Sequence, residues 1–171
     1  GYRLSAVGEM GIGNTTTSSA VASVLLQKDP ELVTGAGAGL DSAGLKRKTE
    51  AIRRGIGLHH PDPMDGMEVL QKVGGFDLAA MAGAFLGGAI YHVPVVIDGV
   101  IAAAAAAAAG RIAPAATDYM LAAHVSAEPA SIWLLDLIGV TPAIQAGLRL
   151  GEGTGALALF PLLDMALSIY R

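Results

Sequence analysis

The chain has no cysteine among its 171 residues. That excludes disulfides and thiolate-held metals, though it leaves the compartment open. Charge is also scarce. Only 15% of residues are Asp, Glu, Lys or Arg, against 53% hydrophobic ones, so much of the surface is expected to lie against a second subunit or further polypeptide. The formal net charge of -4 gives no basic footprint for nucleic acid. No apolar run reaches the ~20 residues that span a bilayer. The longest, "VIAAAAAAAAG" from Val100 to Gly110, is mostly alanine and reads as a buried, closely packed helix. The first residues lack the basic stretch and apolar core of a secretory signal. No repeat of fixed period and no linker divides the sequence, so one α/β domain over residues 1–171 is expected.

Glycine, by contrast, is abundant, and it recurs where short apolar pieces give way to helix-like ones. "AVGEMGIGNTTTSSAV" runs from a short strand through Glu9, Gly11 and Gly13 into a helix whose N-terminus lies at Asn14–Thr17. Asn and Thr suit that end because their side-chain oxygens accept first-turn N–H groups. "LVTGAGAGLD" repeats the pattern and leads to a helix from about Asp41, its cap, to Arg54. Asp65 is expected to cap "GMEVLQKVG", "VPVVIDG" to be a buried strand ending at Asp98, and the last helix to start around Thr154. Alternating strands and helices with glycine turns after the strands predict a parallel sheet. In such folds ligands bind beyond the carboxyl ends of the strands, where every glycine loop would then lie.

The loops carry the chemistry. Gly11, Ile12, Gly13, Asn14 and Thr15 form "GIGNT", and Gly37 and Gly39 lie in "GAGAGLD". Both fit an anion cradle of backbone amides at a helix N-terminus; the plainer alternative is a tight strand–helix turn. Neither is a Walker loop, and "GIGNTT" lacks the third glycine of the dinucleotide fingerprint. Lys48, in "LKRK", is either a phosphate partner or part of a solvated face. Glu152 lies between Gly151 and Gly153 just before a helix. There a carboxylate can act as a general base or simply complement the helix dipole. Glu9 has the same two readings. Asp98 is a functional acid or a helix cap. His124 and Ser126 are close in sequence, but no "GxSxG" elbow accompanies them. His59 and His60 are badly spaced to share a metal, and none is predicted.

Taken together and in order, "GEMGIGNTTT", "GAGLDSAGLKRK", "VGGFDLAAMAGAFLG", "PVVIDGVI", "HVSAEP" and "LRLGEGTGALALFPLL" resemble the nicotinate-nucleotide–dimethylbenzimidazole phosphoribosyltransferase family over essentially the whole chain. The resemblance implies a Rossmann-like parallel sheet flanked by helices. It also implies a cytoplasmic homodimer that needs no cofactor or metal, with nicotinate mononucleotide and dimethylbenzimidazole as substrates. Glu152 matches the family's general base and Glu9 a second acid near the reacting groups. The Gly11–Thr15 loop, Gly37, Gly39, Lys48, Asp98 and Ser126 match segments that hold the nucleotide. Family chains are longer, so the sheet is expected to be incomplete without an N-terminal half, supplied in the same polypeptide or as a separate chain. Ala102 and Ala123 stand where relatives usually carry serine.

Overall fold

A computed structural model describes residues 1–36 and 39–170. Three short strands, β1 (Ser5–Val7), β2 (Val95–Ile97) and β3 (Met120–Ala122), form a parallel sheet in that order. The register sets Ala6 beside Val96 and Val96 beside Leu121. All three β2 residues are buried, as a run of β-branched residues in a central parallel strand requires.

Side chains alternate across a strand, and here the alternation divides the core. Val95 and Ile97 join the main cluster, under α1 (Thr15–Leu26), α4 (Gly66–Val73), α5 (Phe76–Ile90) and α6 (Val100–Ile112). Val96 faces the other way, into a small cluster with Ala123, Ala156 and Leu159. Ala156 and Leu159 belong to α8 (Thr154–Ser168), so this helix covers the opposite face. The α/β sandwich expected from the sequence is present among the described residues.

The alanine helix α6 is the centre of the molecule. Ala102 to Ala109 are each at most 1% exposed. It touches α1, α4, α5, the short α7 (Ser131–Leu137) and β2. A helix enclosed on all sides must be apolar all round, and methyl side chains let neighbouring helix axes come close.

Three local expectations need correction. "ELVT" does not form the start of a strand–loop–helix unit. Instead α2 (Pro30–Val33) forms there, because Pro30 sits at the first helical position and Asp29 accepts the Glu31 amide at 2.9 Å, both strong start signals. The loop that follows therefore does not leave a strand end. α3 (Ser42–His59) begins as expected, with Asp41 accepting the Gly44 N–H at 2.7 Å, but runs past Arg54 to a left-handed His60. Asn14 precedes α1 yet makes no side-chain cap bond; its Nδ2 donates to Asp77 Oδ2 at 2.6 Å instead.

Candidate functional site

The carboxyl ends of all three strands open on one cavity of about 280 Å³. β1 delivers Glu9 and Gly11, β2 delivers Asp98, and β3 delivers His124 and Ser126. Ile12, Thr15 and Lys48 also line it. Gly13 and Asn14 do not; Gly13 holds a positive φ of 79° in the turn, and Asn14 is buried behind α1's start. Gly39, exposed with φ 102°, is not part of the cavity wall. Gly37 lies outside the described residues.

Lys48 is no solvated-face lysine. It is 7% exposed, and its Nζ donates to Thr15 Oγ1 and to the Gly35 carbonyl, each at 3.1 Å. Burial pulls its pKa below the ordinary 10.5, and the negative charge of Glu128 opposes that shift. The ammonium is thus fixed beside the first turn of α1. The amides of that turn have no intrahelical partners and no side-chain cap from Asn14. A buried cation beside an uncapped helix N-terminus has the chemistry to receive an anion.

Glu9 is half-buried, and its Oε2 accepts the Gly11 amide. One amide of the glycine loop is therefore engaged by the chain's own acid. The Glu9 carbonyl accepts the Glu152 amide at 2.9 Å, so the two acidic loops are joined through backbone. Their approach is close. A Cβ on Gly8 would lie 2.5 Å from the Gly153 nitrogen, a distance only glycine avoids.

Glu152 is exposed and has a left-handed backbone (φ 59°) between Gly151 (φ 77°) and Gly153 (φ 80°). Gly151 lines the cavity, while Glu152 stands at its edge and is not part of the wall. Asp98 explains how this loop is held. It is 2% exposed; Oδ2 accepts the Gly153 N–H at 3.0 Å and Oδ1 accepts the Ala156 N–H at 2.9 Å. Of its two readings from sequence, the capping one describes its contacts, and the helix it caps is α8.

Ser126 accepts the Glu128 amide at 3.4 Å on Oγ, and its own amide donates to Ser131 Oγ at 3.0 Å. Sequence reasoning missed Glu128 and Arg149, both in the cavity wall. Glu128 packs so tightly on Gly35 that a Cβ there would lie 1.6 Å from Oε2. The "SAEP" turn that begins at Ser126 was the available signal for Glu128, and Arg149's place in "LRLGEGTG", three residues before Glu152, was the signal for Arg149. Ala102 lines the cavity, whereas Ala123 is buried in the small cluster behind it. Among the described residues no group of three His, Asp or Glu side chains is placed to hold a metal ion. None of their helices is long and apolar enough to cross a membrane.

A family model described as a phosphoribosyltransferase matches residues 1–171. The chain belongs to this phosphoribosyltransferase family. Among family members, the nicotinate-nucleotide–dimethylbenzimidazole phosphoribosyltransferase of Desulforudis audaxviator is 50% identical over 169 residues, covering 99% of this chain and 48% of that protein. The enzyme of the same name from Ruminiclostridium cellulolyticum is 48% identical over 171 residues, covering 100% of this chain and 49% of the relative. The crystal structure of CobT from Thermus thermophilus superposes with a TM-score of 0.91 at 42% identity, over 97% of this chain and 50% of the other. The chain spans about half the length of the curated relatives it matches.

Proposed function

We propose that this chain carries the phosphoribosyl-transfer site of a nicotinate-nucleotide–dimethylbenzimidazole phosphoribosyltransferase. One observation carries the reading beyond family likeness: a buried lysine beside an uncapped helix start and Glu9 line one cavity at the strand ends, and the Glu9 backbone is bonded to that of Glu152. The reaction needs that combination.

The 5′-phosphate of nicotinate mononucleotide is held by Lys48 and the first-turn amides of α1, with Gly11, Ile12 and Ser126 around the ribose. One ring nitrogen of dimethylbenzimidazole attacks the anomeric carbon as the bond to the pyridinium nitrogen breaks. The bonding pair leaves with nicotinate, which loses its ring charge and needs no acid. Attack from the opposite face inverts the centre from β to α. Glu152 takes the proton from the other azole nitrogen, and Glu9 offsets positive charge developing on the ribose. Base catalysis of this kind contributes about 10²–10⁴-fold. The working assembly in this reading is a homodimer, as the resemblance implies, and no cofactor takes part.

A second reading has support in the length comparison. The chain corresponds to about half of its relatives, and it could bind nucleotide while needing the remaining half, in the same polypeptide or a separate one, for turnover. Incubating the chain with nicotinate mononucleotide and dimethylbenzimidazole, with and without the complementary half of a relative, separates the two. Chromatographic detection of α-ribazole 5′-phosphate from the chain alone supports the first. Product only with the complement supports the second, and no product in either case refutes both.

A further inference from the structure

His124 reads from sequence only as a neighbour of Ser126, and the phosphoribosyl-transfer scheme gives it no task. It is nevertheless 4% exposed and lines the cavity, and its Nδ1 is buried without a hydrogen-bond partner. Leaving a buried polar atom unpaired is costly, so the ring's placement calls for a reason.

The reason lies in what rests on the ring. A methyl group on Gly155 would sit 2.0 Å from His124 Nδ1 and 2.9 Å from Asp98 Oδ1. The first turn of α8 is therefore seated directly on the imidazole, with Asp98 beside it holding the Gly153 and Ala156 amides. The ring's own base is stiff. His124 continues β3, pairs with Ile144 in a parallel bridge, and is flanked by bonds from Ala123 N to the Ile97 carbonyl and from Val125 N to the Ile144 carbonyl. Ile144 in turn packs on the cluster that anchors α8 through Ala156 and Leu159.

We propose that His124 is a positioning residue: its buried ring is the seat on which the first turn of α8 sets the height and angle of the Gly151–Gly153 loop, and thereby aims Glu152. Asp98 fixes the loop by hydrogen bonds, and His124 fixes how close it can come. The inference rests on the phosphoribosyl-transfer reading for its catalytic consequence, but not for the seat itself. It also accounts for the glycine at 155, the only residue that leaves the helix flush with the ring.

The test combines backbone hydrogen exchange with kinetics on the full chain. His124→Ala should speed exchange at the Gly153 and Ala156 amides by about tenfold or more. It should lower kcat by about 10²-fold, the penalty for misplacing a catalytic group by an ångström, while KM for nicotinate mononucleotide stays within about threefold. His124→Asn, which keeps part of the ring's volume, should recover part of both losses and serves as the second variant if the alanine form folds poorly. Gly155→Ala should be defective alone, and its added methyl should do much less harm in the His124→Ala background. Unchanged amide exchange in both His124 variants would overturn the seat, whatever the activity. Faster exchange with unchanged kcat would overturn the link from the seat to Glu152. If Glu152→Gln also left turnover unchanged, the transfer reading would fail while the seat stood.

Discussion

Glu152 donates its backbone N–H to the carbonyl oxygen of Glu9 at 2.9 Å. The two residues are far apart in sequence, yet each sits in a glycine loop, and this bond fixes one loop on the other. Gly8 makes it possible, since any Cβ there would collide with Gly153. The acids that the transfer scheme assigns to proton removal and charge stabilisation are thus joined by a direct backbone contact at the edge of the cavity, while Asp98 holds the Glu152 loop from the other side.

The left-handed backbone at Glu152 has an energetic signature. A non-glycine residue in that region costs about 1–2 kcal/mol, and Glu152 is flanked by glycines at the same conformation. Glu152→Gly should therefore leave the urea midpoint unchanged or higher, the relief being partly offset by a freer unfolded chain, while turnover collapses. A clear drop in the midpoint would show that the side chain is there for structure.

Asp98 should matter for stability through α8. Both its oxygens accept amides, and hydrogen bonds to a charged group contribute about 1.5–3 kcal/mol each. Asp98→Ala is expected to lower stability by at least about 2 kcal/mol in denaturant titrations, and Asp98→Asn by less, because the amide oxygen retains one acceptor. Equal losses in both variants would mean that the charge, and not the count of acceptors, decides.

Lys48 should show the opposite trade. Its ammonium is buried and its pKa lowered by that burial, so the charged form costs folding energy at neutral pH. Lys48→Met keeps the apolar stem and removes the charge. It should be neutral or stabilising by about 1 kcal/mol in thermal melts, yet weaken nicotinate mononucleotide binding in a calorimetric titration. Unaltered affinity would remove Lys48 from the anion seat.

His124 predicts a pH dependence of stability. Burial lowers its pKa from the ordinary 6.5, and the negative charge of Asp98 opposes the shift. As the pH falls through 6.5 the unfolded chain binds this proton first, so stability is complete above that value and declines as the pH drops toward the folded pKa. The slope below pH 6.5 should flatten in His124→Asn, measured by urea titrations at several pH values.

Much of this was legible in the sequence because it is local. Glycine loops, the Asp41 and Asp65 caps and the β-branched run of β2 each follow from a few adjacent residues. The short α2 was legible too, since Asp29–Pro30 announces a helix, but "LVT" beside glycines read as the end of a strand. What was hidden depends on distant pairs. Lys48 is buried because Thr15 and Gly35 come to it from other segments. Asn14 abandons its cap for Asp77, which lies 63 residues away. Asp98 holds amides 55 and 58 residues further on, and Glu128 fits only because residue 35 has no side chain. No periodicity or composition encodes such partners.

The most direct measurement compares α-ribazole 5′-phosphate formation by the unmodified protein and by Glu152→Gln, which keeps the shape and loses the base. The transfer account predicts product from the former and a rate about 10²–10⁴-fold lower from the latter, with nicotinate mononucleotide bound equally well by both. Equal rates in the two proteins would contradict it.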